Sequence, residues 1–196
     1  MLMIKTFAPK TIYVVDNVCT PEQRNQLARE CRMLFVNHGW KRPGLFEGYS
    51  LYADYNKIHK EPPFAQISEI ILENAKKYAR EIGYSKFCDK LHVLSMWSNM
   101  HTNGGFIWPH THTDCLFSAV FYLKSPQNST LTFKTFDSFF FPTNTERNQN
   151  TYSPDLIMET LEGRLIIFRS DLVHETRNIP EGEKIAISCN IGFVFA

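Results

Sequence analysis

The chain has 196 residues, 43% hydrophobic and 14% aromatic, with 21 basic against 20 acidic side chains and a formal net charge of +1. That composition excludes a disordered tail and supplies enough apolar surface for a sizeable core, so one domain over 1–196 is expected. The near-balance of charge excludes the basic stripe of a nucleic-acid binder, and no nucleic-acid partner is expected.

Five cysteines (Cys19, Cys31, Cys88, Cys115 and Cys189) form no CxxC pair and are odd in number, which argues against a disulfide framework or a structural zinc site. The N-terminal residues lack a signal-peptide pattern, and no apolar run approaches the ~20 residues of a membrane span. A soluble, cytoplasmic protein in a reducing compartment is the expectation.

In chain order, Ile12–Val15 is a β-branched run that predicts a first strand. Thr20-Pro21-Glu22-Gln23 predicts a helix start: Thr20 caps, Pro21 suits the first helical position and Gln23 completes a capping box. Leu27, Cys31, Leu34 and Phe35 continue as a helical stripe, ended by His38-Gly39. An aromatic segment with Trp40, Phe46, Tyr49, Tyr52 and Tyr55 follows, a candidate lid or a packing surface. A second helix is predicted from about Phe64 to Glu81, with Gly83 as its stop signal.

From Leu91 the texture changes to short runs of β-formers: 91–97, 117–123, 130–136, 156–161, 165–168 and 185–195. Glu162-Gly163 predicts a tight turn between two of them, and the polar stretch 142–155 a loop. Sixteen phenylalanines suit a β-rich core. The predicted organisation is an N-terminal strand and supporting helices (1–90) backing a C-terminal antiparallel β unit (91–196), an α+β, mainly β arrangement that closes as a sandwich or barrel.

Two imidazoles and one carboxylate stand out within this unit: His112 and Asp114 in a His-x-Asp, and His174, expected near the end of the apolar strand that begins at 165. Such a set holds one face of an iron(II) ion and leaves the other open for cosubstrate and oxygen. On a strand, residues two apart share a face, so His112 and Asp114 are expected to project together, with Tyr122 on the same side. Parity also places Lys184, Ala186, Ser188 and Asn190 on one face of the last run, which is aimed inward. Lys184 is then positioned to hold the far carboxylate of 2-oxoglutarate, with Tyr122 and Ser188 beside it. His110 shares parity with His112, so an all-histidine set of His110, His112 and His174 stays open. Lys134 is a rival cosubstrate anchor, while Arg169 and Arg177 have weaker claims on substrate or cosubstrate.

The stretch Pro109-His-Thr-His-Thr-Asp-Cys-Leu-Phe-Ser-Ala-Val-Phe-Tyr-Leu-Lys124 resembles the metal-binding strand of prolyl-hydroxylase-like 2-oxoglutarate/iron(II) oxygenases. It is most similar to small oxygenases of bacteria and phages, in which Pro-His-x-His runs into Ser-Gly-Val-Tyr-Tyr-Leu; Ala119 here replaces the glycine. Gly163–Phe168 with the His174 segment, and Lys184–Asn190, resemble the second metal strand and the closing strand.

The resemblance covers roughly residues 90 to 196. It implies a double-stranded β-helix, or jelly roll, with the helices packed on one sheet. It also implies iron(II), 2-oxoglutarate and O2 as the reacting set, with His112, Asp114 and His174 as ligands and Lys184 and Tyr122 on the cosubstrate. The implied activity is hydroxylation of a prolyl residue of a peptide or of a small molecule. Two departures matter: Lys184 stands where arginine is usual, and many relatives carry asparagine at the position of Asp114, which sustains the His110 alternative. The rival functions are a cupin-type metal enzyme that does not use 2-oxoglutarate and a non-catalytic jelly-roll binding protein.

Overall fold

The computed structural model describes residues 10–38, 40–41, 46–134, 155–177 and 179–194. Strand β1 (Ile12–Val15) leads into helix α1 (Pro21–His38). The expected capping box is present, with Gln23 N donating to Thr20 Oγ1 at 3.3 Å and Thr20 N to Gln23 Oε1 at 2.9 Å. Three two-residue strands follow: β2 (Trp40–Lys41), β3 (Phe46–Glu47) and β4 (Tyr49–Ser50). Helix α2 (Pro62–Glu81) opens on prolines, whose missing N–H groups cost nothing in the first turn, and buries Phe64, Ile67, Ile71, Ala75 and Tyr78.

Eight longer segments complete the chain: β5 (His92–His101), β6 (Phe106–His110), β7 (Phe117–Lys124), β8 (Thr130–Lys134), β9 (Asp155–Glu159), β10 (Leu165–Arg169), β11 (His174–Thr176) and β12 (Lys184–Gly192). They form two antiparallel sheets, one ordered β1-β10-β7-β12-β5-β4-β2 and the other β3-β6-β11-β8-β9. From β5 to β12 the chain passes from one sheet to the other at every connection except β8 to β9, which pair within the small sheet, and this gives the jelly roll.

Side-chain alternation on the large sheet creates two cores. Ala119, Phe121 and Leu123 of β7, with Ile185, Ile187, Cys189 and Ile191 of β12, pack against Leu27, Cys31, Phe64, Ile67 and Ile71 of the helices. The other faces turn inward, where Tyr122 and Ala186 meet Leu131, Phe133, Ile166 and Phe168. The helices therefore cover one sheet, as the sequence predicts. Among the described residues no helix is long and apolar enough to cross a membrane, and the five cysteines are free thiols.

Three expectations change. Strand β6 is absent from the sequence reading because Pro109 interrupts its pattern; a proline inside a sheet is confined to edges and irregularities. The structure supplies the irregularity: His174 pairs with His110 and Thr176 with Ile107, so β6 carries an extra residue where Pro109 stands. His174 does not end the apolar strand 165–168 but begins its own strand in the opposite sheet. The Glu162-Gly163 turn joins β9 in one sheet to β10 in the other, so its flanking strands are not paired. Most of the polar stretch 142–155 lies outside the described residues, as do Gly39 and the side chains of Trp40 and Phe46.

Candidate active site

The pairing of β6 with β11 sets His110 directly opposite His174 at the end of the small sheet. Their ring centroids are 4.2 Å apart. His112 lies two residues beyond the strand, where its backbone N–H donates to Ser170 O at 3.0 Å. Its ring is 5.2 Å from each of the other two and nearly parallel to that of His174. One ring nitrogen from each of the three lies within 4.8 Å of the others.

Hydrogen bonds fix which nitrogen is available. Nδ1 of His110 is 2.8 Å from Trp108 O, and Nδ1 of His174 is 2.9 Å from Leu172 O. A carbonyl only accepts, so each Nδ1 carries the proton and each Nε2 keeps a lone pair. Burial holds all three imidazoles neutral: His174 is pushed down to about 3 by burial and then by His110, and His112 to about 4 by the same pair of causes. His110 is lowered too, chiefly by burial. Trp97 of β5 packs face-on against His112 at 5.8 Å, and the Asn190 side chain, as an acceptor for the imidazole N–H, partly offsets the lowering of His112. A cluster of neutral imidazoles with converging lone pairs suits a divalent transition metal.

Asp114 is not brought into this cluster. Between β6 and β7 the chain bends instead of continuing as a strand, and Asp114 takes a left-handed conformation with φ +61° and an exposed side chain. The two-residue alternation that was to align it with His112 does not operate through that bend. Alternation resumes on β7, where Ser118 and Val120 line the cavity and Tyr122 lies in the inner core.

The second polar centre lies in the barrel interior. Lys184, 2% exposed, has its Nζ 5.1 Å above the Tyr122 ring and donates to Thr130 O at 3.4 Å. Burial pushes it down to about 7. No carboxylate pairs with it among the described residues. The Tyr122 hydroxyl is buried with no hydrogen-bond partner among the described residues, and burial raises its pKa strongly. An unmatched cation beside an unmatched hydroxyl fits a carboxylate guest.

Ser188, on the same face of β12, accepts from Asn99 Nδ2 at 3.0 Å, and Asn99 Oδ1 accepts from Ser50 at 2.7 Å. The rival Lys134 is engaged elsewhere, with Asp155 and Glu175 each at 3.3 Å. Arg169 pairs with Asp171, and Arg177 with Glu175 and Asp155.

A cavity of about 520 Å³ opens over the histidines, walled by Tyr52, Trp97, Ile107, Trp108 and Leu131, with Ser188 and Asn190 contributing polar atoms. Tyr52 and Trp97 meet edge to face at 4.7 Å. Lys184 and Tyr122 do not line this cavity; Val120 and Leu131 belong both to its wall and to the inner core around Tyr122. Trp97 and Asn190 are site residues that sequence reasoning missed. Asn190 was placed on the inward face, but neither carried a signal of contact with His112.

Residues 95–190 match the model of a family described as "Putative 2OG-Fe(II) oxygenase". No match is found among curated proteins. The fold is similar to that of a Pseudomonas putida prolyl-4-hydroxylase, with a TM-score of 0.67 at 14% identity, covering 96% of this chain and 95% of that one. It is similar to HygX from Streptomyces hygroscopicus, solved with nickel and 2-oxoglutarate (TM-score 0.62, 16% identity, 95% of this chain and 84% of that one). A viral collagen prolyl hydroxylase from Paramecium bursaria Chlorella virus-1 shares the fold as well (TM-score 0.58, 16% identity, 93% and 96% covered). Residues 95–190, which carry the histidines and the lysine, thus bear the sequence pattern of the 2-oxoglutarate/iron(II)-dependent oxygenases.

Proposed function

We propose that this chain hydroxylates an uncharged carbon centre, on a prolyl residue of a peptide or on a small molecule, with iron(II) held at the histidine cluster and 2-oxoglutarate anchored by Lys184. The observation that carries this reading is Lys184 itself: a buried cation whose neighbours are a carbonyl and an aromatic ring costs several kcal/mol of desolvation unless an anion arrives.

When bound, iron(II), 2-oxoglutarate and O2 together supply oxidative decarboxylation to succinate and carbon dioxide, with one oxygen delivered to a substrate C–H bond. The chain's own residues do the rest. His112 and His174 present neutral lone pairs to the metal. Lys184 in its charged form pairs with the distal carboxylate, and the Tyr122 O–H donates to it, which satisfies both buried groups at once. Trp97, Val120 and Leu131 keep water from the reacting centre. Among the described residues no Asp, Glu, Lys or Arg lines the cavity, so a charged substrate group would find no partner among them. A cytoplasmic location accords with the five free thiols.

The test is anaerobic visible absorption of the apo-protein with iron(II), before and after 2-oxoglutarate. A weak charge-transfer band appearing only with both is expected, and His174→Ala should abolish both the band and succinate formation. Iron binding without the band would instead favour a cupin-type enzyme, and no iron binding a non-catalytic jelly roll.

A further inference from the structure

We infer that the third protein ligand to the metal is His110 and that Asp114 does not coordinate it, so that the site is an all-histidine one. The inference rests on the proposed metal site and concerns which side chains complete it. His110 and His174 are cross-strand partners, and each makes the same local hydrogen bond, Nδ1–H to the carbonyl two residues earlier, at 2.8 and 2.9 Å. That bond fixes tautomer and ring orientation and is the usual support of a metal-ligating imidazole. Two residues on adjacent strands, oriented alike, bring one ring nitrogen each together, and His112 joins them within 4.8 Å.

The bulge at Pro109 explains how this arises. The extra residue on β6 brings His110, and not its neighbour, level with His174. Asp114 follows in the bend with φ +61°, a conformation that aspartate and asparagine tolerate better than most residues. Its role is to turn the chain from β6 toward β7 with its carboxylate in solvent. Three imidazoles carry no charge, so the metal keeps its full 2+ charge, whereas a His-x-Asp set would leave it 1+. The all-histidine site therefore draws an anionic cosubstrate more strongly.

Cobalt(II) titration of the full chain, followed by visible absorption, tests this without turnover. Asp114→Asn keeps the backbone conformation and is expected to bind cobalt(II) within about threefold of the parent. His110→Gln is expected to weaken binding by more than about 100-fold, beyond the 10- to 100-fold typical of outer-sphere changes. Loss of affinity in Asp114→Asn, or its retention in His110→Gln, overturns the inference. If His110→Gln fails to fold, the parent still decides: its cobalt(II) form should show three hyperfine-shifted imidazole N–H resonances, and two would overturn the inference. If the parent and His174→Ala both fail to bind cobalt(II), the proposed metal site falls and not only its third ligand.

Discussion

Lys184, the first residue of β12, pairs directly across the sheet with His101, the last residue of β5, and both side chains are buried. Burial pushes Lys184 down to about 7; burial, reinforced by the Lys184 charge, pushes His101 down to about 3. Near neutrality the lysine of the cosubstrate-free protein is thus only partly charged, whereas its proposed partner demands the charged form. Binding of 2-oxoglutarate should therefore take up a proton above pH 7. Affinity is expected to be level below pH 7 and to fall by up to about tenfold per unit above it, until the raised pKa of the complex is passed. Calorimetric titrations at pH 8 in buffers of different ionisation enthalpy measure the uptake directly; a value near zero would contradict the assignment of Lys184.

Replacing Lys184 by methionine separates function from stability. The apolar side chain has similar length and no charge to desolvate, so the variant should be at least as stable as the parent at pH 7. It should also lose the lysine's part of the pH dependence. With a folded pKa near 7 and an unfolded one near 10.4, the unfolded parent holds a proton that the native state has released between those values. The parent therefore gains stability as pH rises through that window, by up to about 1.4 kcal/mol per unit, and Lys184→Met should not. Its affinity for 2-oxoglutarate should drop by about 2–5 kcal/mol, roughly 30-fold to several thousand-fold, with cobalt(II) binding unchanged. Urea denaturation over pH 6–9 and equilibrium dialysis of 2-oxoglutarate check the two halves.

Much of this site is legible in the sequence because strand alternation is a strong constraint. The inward face of β12, with Lys184 and Ser188, and the inward placing of Tyr122 on β7 follow from counting by twos, and both faces are found as counted. The same counting fails at Asp114, because a bend with φ +61° ends the alternation between β6 and β7, and nothing in Thr-His-Thr-Asp-Cys announces it. Strand β6 was hidden by Pro109, and the bulge that accommodates proline is a property of the pair β6–β11, not of either segment. The contact of Trp97 with His112 is likewise long-range and carries no local signal.

Trp97 should matter to stability and to the metal together. It is 5% exposed, packs into the core and lies against His112. Trp97→Ala should cost about 3–5 kcal/mol and leave His112 free to rotate, weakening cobalt(II) binding. Trp97→Phe, which retains an aromatic face, should recover most of the metal affinity with a smaller loss of stability. Denaturation midpoints and metal titrations on the pair distinguish a packing role alone, in which only the midpoints move, from support of the imidazole.

Two glycines in left-handed conformations isolate crowding from backbone strain. Gly163 (φ +85°) makes the turn that carries the chain from one sheet to the other, and a Cβ there would stand 3.2 Å from the Arg24 guanidinium. Gly104 (φ +78°) has nothing within 4 Å of the same added atom. Gly104→Ala should therefore cost only the strain of an L-residue at positive φ, about 1–2 kcal/mol. Gly163→Ala should cost more, because Arg24 must shift from the carboxylate of Glu162, which it contacts at 2.9 Å. Equal losses in urea midpoint would mean that Arg24 moves freely and that this part-buried ion pair contributes little. A larger loss at Gly163 would show that this pair helps to hold the crossover that places β10 between β1 and β7.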